Sequence, residues 1–159
     1  MAVVNGFSKV ADDLRPDVKI RWINALENWK KTKEFTLYGM PIITMTLRTP
    51  DCQTALVAQG RKTLKEVNAL RAKCGLYLLK TDAENFKVSW FMGDVKTAPH
   101  CKGIAVDFLI DGNKDKKITD ADWKLTQGFE AFGKFMVTQG WIWGGNFKTP
   151  DRPHIQFGV

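Results

Sequence analysis

A single carboxylate interrupts the apolar run after Gly103, where residues 104–110 read Ile-Ala-Val-Asp-Phe-Leu-Ile. A short run of this kind, opened by a glycine, predicts a core strand. Period-two alternation then puts Ala105, Asp107 and Leu109 on one face and Val106, Phe108 and Ile110 on the other. A lone carboxylate on such a strand is costly unless it is paired or bound to a metal, so the fold has to bring Asp107 a partner. The chain has two histidines, and each sits near a carboxylate: His100 lies seven residues before Asp107, and His154 ends the segment Asp151-Arg-Pro-His154. Two neutral imidazoles and one carboxylate suit a divalent ion, and a catalytic zinc typically takes three protein ligands and leaves the fourth position to water. His100, Asp107 and His154 would be those ligands, with Asp151 left as a general base. The spacing permits this without requiring it. His100 reaches Asp107 only if the chain bends near Gly103, and Asp151 and His154 share a face only if Pro150 and Pro153 make a turn. A structural hydrogen bond or a place at the surface is the other reading of both histidines.

Around these residues the sequence predicts helices and short strands. Ser8 or Asp12 can cap a helix to residue 31, whose Val18, Ile20, Trp22, Ile23, Leu26 and Trp29 form a broad apolar stripe. Residues 41–47 read as a strand with Arg48 at its end, and Asp51 as the cap of a helix carrying Gln53 that stops at Gly60. A second helix is expected over residues 63–73 and strands over 87–92, 104–110, 141–143 and 154–157. Thr119, with Asp122 three residues later, resembles a capping box that opens a helix running to Gly140. The order implies an α+β fold: a small, mostly antiparallel sheet carrying the metal site, packed with several helices.

At 159 residues, 44% hydrophobic and 26% charged, the chain has the makeup of one domain, and a monomer is expected. Cys52, Cys74 and Cys101 form an odd, scattered set, which argues for free thiols rather than a disulfide framework or a thiolate zinc site. The opening residues lack the charged and apolar regions of a secretory signal, and no apolar run approaches the roughly 20 residues that span a bilayer. The expectation is synthesis in a host cytoplasm without a signal peptide. A formal charge of +7 favours an anionic partner. Nucleic acid fits poorly, because the lysines are dispersed in pairs such as Lys30-Lys31 and Lys116-Lys117 and no nucleic-acid motif is present. A polyanionic cell envelope and a merely soluble basic surface account for the charge equally well.

At the candidate ligands the chain resembles the zinc peptidases that cut peptidoglycan stem peptides. These include D-alanyl-D-alanine carboxypeptidases, vancomycin-resistance dipeptidases and the L-alanyl-D-glutamate endopeptidases of phage endolysins. Ala98-Pro-His100-Cys-Lys-Gly103-Ile-Ala105-Val-Asp107 matches their Ser-x-His-x-x-Gly-x-Ala-x-Asp pattern except at the leading serine, and Asp151-Arg-Pro-His154 matches their second element. Trp143-Gly-Gly, and Arg48 with Gln53 and Gln59-Gly-Arg61, are similar to signals of the endolysin branch. The likeness runs from about Thr44 to the C-terminus; the first 40 or so residues carry no assignable motif, and residues 1–159 are expected to form one peptidase domain. The resemblance implies zinc on His100, Asp107 and His154, with Asp151 as general base. Arg48 would stabilise an oxyanion or hold a substrate carboxylate, its alternative being a surface ion pair. Gln53 and Trp143 are weaker candidates for substrate contact; an exposed helix residue and an ordinary core tryptophan are the other readings. Ala98 cannot offer the family's hydroxyl. Cys101, beside His100, should point away from the metal. The implied activity is a phage endolysin that cuts the L-alanyl-D-glutamate bond of peptidoglycan after release through the inner membrane. A D-alanyl-D-alanine carboxypeptidase or dipeptidase, or a non-catalytic, metal-stabilised envelope-binding module, stands beside it.

A second constellation follows the strand. Numbered from Asp111, oxygen-bearing side chains fall at positions 1, 3, 5, 9 and 12 (Asp111, Asn113, Asp115, Thr119, Asp122), with Ile118 at position 8, as in an EF-hand-type calcium loop. Lys116 stands where that loop has glycine, Asp122 stands where it has glutamate, and three lysines dilute the charge. A calcium site and a solvated turn capping the next helix both remain open.

Overall fold

The computed structural model describes residues 6–158. Four strands, β1 (Ile42–Met45), β2 (Ala105–Leu109), β3 (Ile142–Trp143) and β4 (His154–Gln156), form one antiparallel sheet in the order β1-β2-β4-β3. Six helices pack with it: α1 (Pro16–Trp29), α2 (Lys33–Tyr38), α3 (Pro50–Ala58), α4 (Leu64–Lys73), α5 (Asp120–Trp123) and α6 (Thr126–Thr138). The fold is α+β, as the element order implies.

The alternation in β2 determines how the layers divide. Val106 and Phe108 enter the main core with Ile155 and Trp143, covered by Val18, Trp22 and Trp29 of α1 and Phe129, Phe132 and Met136 of α6. Phe132 is fully buried and meets Trp22, Trp29 and Phe108 edge-on at centroid distances of 6.1, 5.1 and 4.9 Å, the arrangement aromatic rings prefer. Asp107 sits on the opposite face of the sheet. A smaller cluster of Cys52, Ala55 and Cys74 ties α3 to the end of α4. The three cysteines are free thiols.

Several expected boundaries shift, each for a local reason. The first helix begins at Pro16 rather than near Ser8, because proline lacks the N–H an interior position requires and is suited to the first turn. Ser8 instead pairs its backbone N–H with the Leu47 carbonyl at 2.8 Å and donates its hydroxyl to Asp13 at 2.5 Å. Thr49, not Asp51, caps α3: its hydroxyl oxygen accepts the Cys52 N–H and Pro50 occupies the first turn. Replacing Thr49 by alanine is expected to cost about 1 kcal/mol, or roughly 2–4 °C of melting temperature by calorimetry.

Residues 87–92 alternate in sequence but form no strand. This segment is held by side chains instead: Arg61 donates to the Ser89 carbonyl at 2.9 Å and Gln53 to the Ser89 hydroxyl at 3.3 Å. Val88, Trp90 and Met92 face solvent. Thr119 and Asp122 do form a capping box, but it opens only the one-turn α5, and the long helix starts afresh at Thr126. Among the described residues no helix is long and apolar enough to cross a membrane.

Candidate metal centre

Sheet register assembles the first pair of ligands. Asp107 of β2 lies directly opposite His154 of β4, and such cross-strand neighbours have their Cβ atoms about 4.5–5.5 Å apart. A slip of one residue would turn His154 to the far face. The third ligand arrives from the turn before β2. His100 O accepts the Gly103 N–H at 3.2 Å and Pro99 O accepts the Ile104 N–H at 3.1 Å, with Gly103 in the left-handed region at φ 67°. That conformation is open to glycine at little cost, and a Cβ there would also come within 3.1 Å of the Arg15 nitrogen. The bend expected at Gly103 is therefore what returns His100 to the strand.

His100 Nε2 and His154 Nδ1 each lie 3.0 Å from Asp107 Oδ1 and 3.2 Å from one another. Among the described residues this is the one set of three His, Cys, Asp or Glu side chains that could hold a metal ion. Both histidines are buried, and the Asp107 side chain is 22% exposed.

The outer ring nitrogens fix the tautomers. His100 Nδ1 lies 2.6 Å from the Thr46 carbonyl, an acceptor only, so Nδ1 carries the proton. His154 Nε2 lies 3.0 Å from Gln156 Oε1, while Gln156 Nε2 donates to the Gly158 carbonyl at 2.9 Å, which settles the orientation of that amide. His154 therefore donates through Nε2. Both inner nitrogens are left as lone pairs aimed at the same carboxylate oxygen. Three acceptors in mutual contact repel one another unless a cation sits among them, and two imidazoles with a carboxylate fit zinc.

A proton on an inner nitrogen would relieve the same repulsion as a metal cation, and the titrations follow that exchange. Burial lowers the His100 pKa, with Asp107 opposing. Burial is the largest influence on His154 and would lower its pKa too, but contact with Asp107 and its charge, the Gln156 oxygen and the charge of Asp151 together outweigh it and the pKa rises. Desolvation pushes the Asp107 carboxyl up, yet the two histidines hold it well below the ordinary carboxylate value.

Thr46 and Gln156 were not anticipated as participants. The Thr46 contact is made by a backbone carbonyl, which sequence does not advertise. Gln156 was within reach, since residues two apart on a strand share a face. Gln156→Ala is expected to lower zinc affinity by about 10–100-fold while leaving the ligands in place, checked by competition against a zinc chelator dye.

Asp151 stands at the entrance to β4. Its N–H donates to the Gly144 carbonyl at 2.8 Å, and its own carbonyl accepts the His154 N–H at 3.2 Å. A Cβ on Gly144 would fall 2.2 Å from the Asp151 carbonyl oxygen, so glycine is required there for the turn to close. Desolvation, then the charge of Asp107, raise the Asp151 carboxyl, against the pull of His154 and Arg48.

Arg48 is 9% exposed and reaches Asp107 Oδ2 with one amino group at 3.5 Å, so it is no surface ion pair. Its other amino group donates to Gln53 Oε1 at 2.7 Å. Gln53 is buried rather than exposed, and it orients Arg48. Trp143 is 4% exposed within the main core, and its indole N–H donates to the Arg152 carbonyl at 2.8 Å. It braces the Asp151 turn from inside and offers no face to solvent. Ala98 is buried, where the smaller side chain is accommodated. Of the second constellation, Asp111 and Asp122 are buried while Asn113, Asp115 and Thr119 are exposed.

Residues 93–157, which include His100, Asp107, Asp151 and His154, match a peptidase family described as D-alanyl-D-alanine carboxypeptidase. Two solved structures share the fold. One is the Serratia marcescens L-Ala D-Glu endopeptidase ChiX, at 15% identity and a TM-score of 0.52 over 93% of this chain and 83% of that one. The other is the vancomycin resistance D,D-pentapeptidase VanY from a VanB-type cassette, in complex with Zn(II), at 12% identity and a TM-score of 0.50 over 99% and 81%. No curated protein sequence matches the chain. The resemblance to zinc peptidases read from the motifs is borne out by the family match.

Proposed function

We propose that this chain, whose residues 93–157 match the D-alanyl-D-alanine carboxypeptidase family, hydrolyses peptidoglycan stem peptides with zinc, cutting the L-alanyl-D-glutamate bond as a phage endolysin does. The observation that carries the metallopeptidase reading is the convergence of two fixed imidazole lone pairs and one carboxylate oxygen within 3.2 Å. Bound at His100, Asp107 and His154, zinc would supply an acidified water and a Lewis acid for the scissile carbonyl.

The other work falls to the chain's own side chains. Asp151, with its raised carboxyl, takes a proton from the attacking water and returns it to the leaving amine. Arg48, held by Gln53, has a fork suited to the developing oxyanion or to a substrate carboxylate. The position of Arg48 and Gln53 beside the ligands supports the endopeptidase reading, because that pair is what resembles the endolysin branch. The family description supports a second reading, a D,D-carboxypeptidase or dipeptidase.

Mass spectrometry of digested peptidoglycan separates the two. New glutamate amino termini are the expected result, whereas release of D-alanine alone would favour the second reading. Stripping divalent metal should abolish hydrolysis and zinc add-back should restore it. Full activity in the stripped protein would overturn both readings.

A further inference from the structure

The loop after β2 holds an observation that the peptidase reading does not use. Asp111 is 8% exposed, and its Oδ1 is the one buried side-chain oxygen or nitrogen among the described residues with no hydrogen-bond partner. A buried carboxylate oxygen without a donor is unfavourable unless something positive binds it. The other oxygen of the same carboxylate accepts the Lys116 N–H at 2.7 Å, which turns the group into the loop.

The backbone there has the shape of a cation loop. Lys114 and Lys116, at positions 4 and 6, adopt φ of 57° and 63°, the left-handed region that favours glycine and that side-chain-bearing residues occupy only when the surroundings demand it. Asn113 Oδ1 accepts the Asp115 N–H at 3.2 Å and Asp115 Oδ1 accepts the Lys117 N–H at 2.8 Å, so these exposed side chains are tied to the loop backbone. Asp122 closes the far end. Its carboxyl lies below the ordinary value because the N–H and hydroxyl of Thr119 and the Gly112 N–H donate to it, which ties position 12 back to position 2, next to Asp111. Lys114, which would oppose a cation, has its ammonium drawn off to the Thr36 carbonyl at 3.1 Å.

We propose that the 111–122 loop is a calcium site with Asp111 Oδ1 as its anchoring ligand, joined by Asn113, Asp115 and Asp122. Hard oxygen donors in a flexible loop suit calcium better than magnesium, which demands near-octahedral geometry and dehydrates reluctantly. Ile118, the position-8 residue, is 50% exposed, so among the described residues no second loop covers this one. With no partner loop and flanking lysines, the affinity belongs to the weak class, a Kd on the order of 10⁻⁴–10⁻³ M. None of its side chains is a zinc ligand, so the site stands or falls independently of the peptidase reading.

The test is calorimetric titration of calcium chloride into the zinc-loaded protein, with magnesium chloride in parallel and melting temperature as a second readout. Calcium is expected to bind and raise the melting temperature, and magnesium to do neither. Asp111→Asn keeps an oxygen for the Lys116 N–H and should weaken calcium at least about tenfold, because ligand charge sets affinity. Lys116→Gly removes a left-handed side chain and a positive charge, and should bind calcium more tightly than the parent. Absence of calcium heat in both the parent and Lys116→Gly, equal binding of magnesium, or unchanged affinity in a folded Asp111→Asn protein would each overturn the proposal.

Discussion

Replacing Asp107 by alanine is expected to remove zinc and hydrolysis together. Asp107 Oδ1 is the atom on which His100 Nε2 and His154 Nδ1 both converge at 3.0 Å, and without it the two nitrogens face each other at 3.2 Å with no anion between them. Arg48 loses the carboxylate it reaches at 3.5 Å, so a positive group is left beside a site that has to attract a cation. The fall in zinc affinity should exceed the about 10–100-fold that follows loss of an outer partner. Elemental analysis of the dialysed protein and turbidity loss of purified peptidoglycan measure the two effects. Zinc add-back supplies a third readout, since a ligand that binds only the folded state raises its melting temperature. That rise should appear in the parent and vanish in Asp107→Ala. A variant that retained a full equivalent of zinc would remove Asp107 from the ligand set.

Asp107 could be found from sequence because it breaks a rule. A charged residue at the buried period of a strand demands compensation, and the available histidines are few enough to nominate the partners. Register supplied what periodicity lacked: the strand pattern put Asp107 on a face, but only pairing against β4 showed that His154 stands opposite it. Chemistry carried on the backbone was harder to read. The Thr46 carbonyl that fixes His100 leaves no trace in residue type, and the Gly144 turn is recognisable only once a Cβ is seen to strike the Asp151 carbonyl. The alternation over residues 87–92 misled for a related reason, since an alternating pattern makes a strand only where a neighbouring edge is available to pair. There, Arg61 and Gln53 satisfy the segment with side chains instead. Gln53 shows the reverse case, an unremarkable helix position that gains its role by meeting Arg48 one turn after the Thr49 cap.

Asp151→Asn should leave zinc bound and lower turnover by about 10²–10⁴-fold, the range attributed to a positioned general base. The substitution preserves size and leaves untouched the backbone bonds that shape the turn, from Asp151 N–H to the Gly144 carbonyl and from His154 N–H to the Asp151 carbonyl. What it removes is the titrating carboxyl. In the parent that carboxyl must be ionised to accept a proton, so activity should fall as pH drops through its pKa. Because desolvation and Asp107 raise that pKa, the fall should set in above the ordinary carboxylate range. The residual rate of Asp151→Asn should lack this acid limb while keeping the parent's zinc content, a combination that a merely structural aspartate would not produce. Retention of both the rate and its acid limb in the variant would assign the proton transfer elsewhere. Loss of zinc along with the rate would instead make Asp151 part of the metal's support. Unchanged association with the cell wall, in a protein that never hydrolysed it, would favour the non-catalytic envelope-binding reading.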